Sequence, residues 1–227
     1  MVATNFPDGV TNAATPGPLQ TFIDMDPSAV HQYFNDFDVY TAGDFTVSAT
    51  GSPTNSIVAG NGGILSMVNT AGNADLDALQ LKAATFNLVA GKQLWMKARF
   101  NISNATLSAL LIGLIQTTAT PLTVVDGVYF RKDSASAVLT AKATKASTTS
   151  SSNVLTMVAA TYVEVGLHYD GSDTIIVYSG SAIVARLPIT NLPLAATGLN
   201  MTIALTNGAS GGAQTLLVDY VMVAAQR

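Results

Sequence analysis

Leu94-Trp95-Met96-Lys97-Ala98-Arg99-Phe100-Asn101-Ile102 alternates strictly. Leu94, Met96, Ala98, Phe100 and Ile102 fall on one parity, and Trp95, Lys97, Arg99 and Asn101 on the other. A period of two is the signature of a strand with one face on a core and one in water. The same rhythm recurs on both sides. Phe45 to Thr50 alternates apolar with hydroxyl residues, and Val163, Val165, Leu167 and Tyr169 alternate with Tyr162, Glu164, Gly166 and His168. Leu199, Met201, Ile203 and Leu205 alternate with Asn200, Thr202, Ala204 and Thr206. Between such runs stand turn clusters: Gly60-Asn61-Gly62-Gly63, Asp126-Gly127, Asp170-Gly171-Ser172-Asp173, Ser179-Gly180-Ser181 and Asn207 to Gly212. Many short antiparallel strands with Gly-rich turns predict an all-β, antiparallel β-sandwich.

Three stretches qualify this reading. Leu107 to Thr117 is apolar at both parities, which predicts a strand buried on both faces or set centrally under a covering loop; a buried helix is the competing reading. Ala71 to Ala84 has mild helical composition, weakened by Gly72, Asn73, Asp75 and Asp77. Ala146 to Asn153 is polar and of low complexity, and is expected as an exposed loop.

Composition narrows the function. The 227 residues are 48% hydrophobic and 11% charged, with a net charge of −4, enough apolar material for one large domain and no basic footprint for nucleic acid. Cysteine is absent and only His31 and His168 are available, so neither a disulfide framework nor a Cys/His metal site is expected, and no cofactor is assigned. The N-terminus lacks the pattern of a secretory signal, and no apolar run reaches the ~20 residues that span a bilayer. A protein made in the cytoplasm, without membrane contact, is the expectation.

Residues 1–32 are punctuated by Pro7, Pro16, Pro18 and Pro27 and read as an extended N-terminal arm preceding a domain over residues 33–227. Phe6, Leu19, Phe22, Ile23 and Met25 cannot be buried within such a segment. Either the leader is disordered, or it packs on its own domain, a sister subunit or a larger assembly. Asp26 to His31 is compatible with one helical turn capped by Asp26, with Pro27 at its first position.

The C-terminal half has a recognisable layout. A strand over Tyr162–Tyr169 runs into Asp170-Gly171-Ser172-Asp173, then Ile175–Tyr178, Ser179-Gly180, Ile183-Val184-Ala185, and a closing strand Leu216–Val223. This resembles the concanavalin-A-like jelly roll of laminin-G domains and legume lectins, and implies that the last strand returns beside the first. Asn5-Phe6-Pro7-Asp8-Gly9-Val10-Thr11-Asn12, His31 to Asp38 and Ala42 to Val47 resemble structural proteins of tailed bacteriophages. That second resemblance implies a capsid decoration or cement protein on the virion surface. It would bind the major capsid protein as a homotrimer, or as a dimer in second place. The alternative is a lectin-like carbohydrate-binding module engaging host glycans.

Catalysis is not expected from the residues. Glycosidases of this sandwich resemblance place Glu-x-Asp-x-x-Glu on one strand, whereas Glu164 is the sole glutamate. The pairs Asp24/Asp26, Asp36/Asp38 and Asp75/Asp77 have the spacing that puts two carboxylates on one side of a strand, for calcium or for acid–base work. His168 has outward parity and reads first as a surface residue. Trp95, also outward and flanked by Lys97 and Arg99, suits an interface anchor, a sugar-stacking platform or plain packing. Phe6, Phe22 and Trp95 are the candidate partner contacts. Residues 1–81 hold eight Asp and no Lys or Arg, while 82–145 hold eight Lys and Arg against two Asp. This segregation either orients an acidic arm on a basic neighbour or disappears when strands interleave.

Overall fold

The computed structural model describes residues 29–60, 62–82, 86–193, 198–209 and 211–227. Fifteen strands occur among them: β1 (Val30–Asn35), β2 (Phe45–Thr50), β3 (Thr54–Gly60), β4 (Gly62–Val68), β5 (Leu76–Leu81), β6 (Leu94–Ile102), β7 (Ser108–Ile115) and β8 (Gly127–Lys132). They continue with β9 (Val138–Lys145), β10 (Thr148–Thr156), β11 (Val163–Tyr169), β12 (Thr174–Ser179), β13 (Ala182–Pro188), β14 (Asn200–Asn207) and β15 (Thr215–Gln226). All pairings are antiparallel.

Two sheets form a sandwich. The first runs β13-β12-β11-β6-β15-β4-β3, with β1 also paired to β15; the second runs β10-β9-β8-β7-β14-β5-β2. The last strand therefore does return beside the first. The inward parity of the quoted stretch supplies Leu94, Met96, Ala98, Phe100 and Ile102 to the core between the sheets. Leu110, Ile112 and Leu114 of β7 meet them from the second sheet, with Phe130, Ile203 and Leu205.

β7 is buried along its whole length. Its opposite parity, Leu111 and Ile115, joins Ala78, Tyr129 and Ala204 in a second, smaller cluster on the outside of the sheet, roofed by Leu122 and Val124. A strand under a covering loop is thus the arrangement found. The same cover alters β14, whose second face was expected in water: Asn200, Thr202 and Ala204 are fully buried. Gln80 is fixed beneath the loop through both its amide atoms, to the backbone of Thr118.

Two other expectations are corrected. Ala146 to Asn153 is not a loop: Ala146 and Ser147 turn the chain at positive φ, and Thr148 onward is edge strand β10, paired with β9. Hydroxyl residues on both parities hide the period of a strand that needs backbone partners more than a buried face. Within Ala71 to Ala84, Leu76–Leu81 is strand β5, held between β14 and β2. Val30 and His31, expected at the end of a helical turn, lie in β1. Phe6, Phe22 and the Asp24/Asp26 pair lie outside the described residues.

Candidate functional site

The outward parity of the first sheet assembles the site. Across β15, β6, β11 and β12 the register sets Ala224, Trp95, His168 and Ile176 in one row, and Met222, Lys97, Gly166 and Tyr178 in the next. Tyr220, Arg99 and Glu164 form a third. Cross-strand neighbours at such positions point to the same side, so residues distant in sequence become contiguous. Gly166 leaves a gap in the middle of this face. Around it lies a shallow pocket of ≈ 170 Å³ lined chiefly by Trp95, Lys97, His168, Tyr178 and Met222.

One wall is aromatic. The imidazole of His168 stacks on the indole of Trp95, and its Nε2 lies 3.2 Å from Gln93 Oε1. Burial holds the His168 pKa below its ordinary value, against an opposing pull from Asp170, so the ring is neutral at pH 7. Lys97, at the pocket's edge, opens onto an ionic stretch of the same face. Lys97 Nζ is 2.8 Å from Glu164 Oε1, and the Tyr220 hydroxyl donates to Glu164 Oε2 at 2.8 Å. The lysine and tyrosine hydrogen bonds hold the Glu164 carboxyl below its usual range. Arg99 pairs with Asp219, which is largely buried, and lies over the Tyr162 ring at 4.4 Å. The face presents flat rings beside donors and acceptors whose charges cancel, a combination suited to a polyhydroxylated ligand with apolar ring faces.

Of the sequence-selected residues, Trp95 and His168 come together here. Glu164, Gly166, Tyr178, Tyr220 and Met222 were not selected; their outward parity was readable, but their cross-strand alignment was not. The two aspartate pairs among the described residues do not form sites. Asp36 and Asp38 flank Phe37, which is fully buried at φ 53°, so the extended geometry their spacing required is absent. Asp75 binds Thr70 and Gly72 in a turn, whereas Asp77 points to Asn55 in the interior. Lys97 and Arg99 of basic β6 pair with Glu164 of β11 and Asp219 of β15, both beyond residue 145, so these pairs leave the contrast between residues 1–81 and 82–145 as it stands.

No family model and no curated protein matches the chain. Solved structures do. An endo-1,3-β-glucanase from Streptomyces sioyaensis superposes with a TM-score of 0.62 at 13% identity, over 89% of this chain and 98% of that one. A carbohydrate esterase from the Shiga toxin-encoding bacteriophage phi24B gives 0.54 at 15%, over 85% and 96%. The carbohydrate recognition domain of Emp46p, in its potassium-bound form, gives 0.54 at 12%, over 80% and 88%. The chain therefore has the jelly-roll sandwich fold of lectin and glucanase domains. These likenesses also correct the expectation that the protein is not an enzyme. The missing Glu-x-Asp-x-x-Glu excludes one catalytic arrangement, but structures named for glucanase and esterase activity share this fold, so the absence of one motif does not exclude catalysis.

Proposed function

We propose that this jelly roll recognises carbohydrate on the outer face of its first sheet, at the pocket between Trp95 and the Lys97–Glu164 pair. The observation that carries the reading is the Trp95–His168 stack beside the gap at Gly166. The indole is held in one orientation before any ligand arrives, so little side-chain entropy is lost on binding. Apolar sugar faces stack on the ring, and hydroxyl groups exchange water for Glu164, Lys97 and Tyr178. The carbohydrate names attached to structures of the same fold support the assignment of ligand class.

Affinity electrophoresis in gels containing soluble polysaccharides tests it. The wild-type protein is retarded and Trp95→Ala migrates as in a blank gel, with an unchanged β circular-dichroism spectrum. Equal mobility of the two proteins in every gel overturns the assignment. Reducing-end release from the same polymers reports turnover.

A capsid decoration role is the second reading, with the major capsid protein as partner, a trimeric assembly and a place on the virion surface. It is supported by the phage-like segments of the N-terminal residues and by the phage origin of the phi24B esterase. Deleting residues 1–28, which spares β1, should weaken sedimentation with phage particles. Unchanged saturation of particles by the truncated protein sinks this reading.

A further inference from the structure

The pocket is one part of a longer track. The row through Gly166 extends over five strands: Tyr178 on β12, Gly166 on β11, Lys97 on β6, Met222 on β15 and Phe34 on β1, each the register partner of the next. Four inter-strand gaps of about 4.8 Å give a span of about 19 Å, the length of roughly four pyranose rings in an extended chain. An aromatic ring stands at each end. Phe34 is 54% exposed although the strand beneath it is paired, and its ring lies 6.4 Å from that of Tyr220. A large exposed aromatic contiguous with a pocket marks binding surface more than packing.

Charge selects among chains. Strands β6, β11, β12 and β15 carry four ionised side chains, Lys97, Arg99, Glu164 and Asp219, and these pair off with one another. Arg186, on the edge strand β13, faces Ile176, in the row beside that of Tyr178. Among the described residues of those four strands no cation is left to neutralise a repeating carboxylate, so an acidic polymer would have to break an existing pair or rely on Arg186 at the edge.

We infer that the site takes an uncharged, β-linked hexopyranose chain running across the strands, with a first subsite at Trp95 and Tyr178 and a distal one at Phe34. This rests on the carbohydrate reading above and deepens it. A row that crosses five strands fits an extended chain rather than the end of a branched glycan.

Titration calorimetry with cello-, laminari- and manno-oligosaccharides of one to six units, and with oligogalacturonates of matched length, tests the inference. Affinity for at least one neutral series should rise up to the tetramer and then level off. Phe34→Ala should weaken the tetramer about fivefold or more while leaving the dimer unchanged. Trp95→Ala should abolish binding of all lengths.

A plateau already at the monomer or dimer, or Phe34→Ala without effect on the tetramer, overturns the extended track and leaves the Trp95 pocket standing. Tighter binding of oligogalacturonate than of the neutral chains overturns the charge argument. No binding by any neutral series overturns the ligand class, and binding indifferent to Trp95→Ala removes the pocket itself. Thermal melts of both variants separate these outcomes from loss of fold.

Discussion

His168 and Trp95 face each other across β11 and β6 with ring centroids 5.1 Å apart and planes 5° from parallel. The pair converts two outward side chains into one rigid aromatic surface.

Trp95 is the sole tryptophan, so its emission reports directly on His168. A protonated imidazole quenches a stacked indole, and burial sets the His168 pKa below the ordinary value of 6.5. Fluorescence should therefore fall on acidification with a midpoint below 6.5, and His168→Gln should abolish the transition. Because the unfolded chain takes up this proton first, stability also declines as pH drops from 6.5 through the lower folded value. A midpoint at or above 6.5 contradicts the buried, neutral imidazole.

Asp77 sits fully buried at the inner face of β5, where Asn55 Nδ2 donates to its Oδ1 at 3.2 Å and Oδ2 has no partner among the described residues. Burial raises its pKa from 3.8 to about 6. Between those values the folded state retains a proton that the unfolded chain has released, so stability falls as pH rises, by about 3 kcal/mol across the window. Asp77→Asn removes the ionisation. It should raise Tm at pH 7.5 by several degrees and give no comparable gain at pH 4, as read by calorimetric scans at both pH values.

Lys132 is buried at the end of β8, and its ammonium donates to the backbone carbonyls of Ser108, Asp133 and Ser136. Burial pushes its pKa down to about 8, against the opposing pull of the Asp133 charge. Lys132→Met keeps the length of the chain but strands those acceptors. It should cost about 2–4 kcal/mol in urea unfolding with an unchanged m-value. A loss below about 0.5 kcal/mol would show that water replaces the ammonium without penalty.

The apolar alternation of β6 and β11 pointed to a layered antiparallel fold, because side-chain period is a local consequence of strand geometry. Trp95 was legible as outward for the same reason. The double-sided apolar run of β7 left a buried helix open, and its pairing with β8 and β14 makes it a strand. Where local preference conflicts with tertiary demand, the pattern misleads. β5 carries a buried Asp77 among helix-tolerant residues and is a strand only because β14 and β2 flank it. β10 consists largely of hydroxyl residues and is a strand because β9 supplies its hydrogen bonds.

The assembly of the candidate site, unlike the outward parity of its members, was decided by tertiary structure. Phe34, Trp95, Gly166, Tyr178 and Met222 come from five strands spread along the chain, and their alignment depends on register. A slip of one residue in any of those pairings would send that strand's side chain to the other face. Parity can be read from sequence, since it repeats every two residues. Which parities are brought side by side is decided by long-range hydrogen bonding that no local stretch encodes.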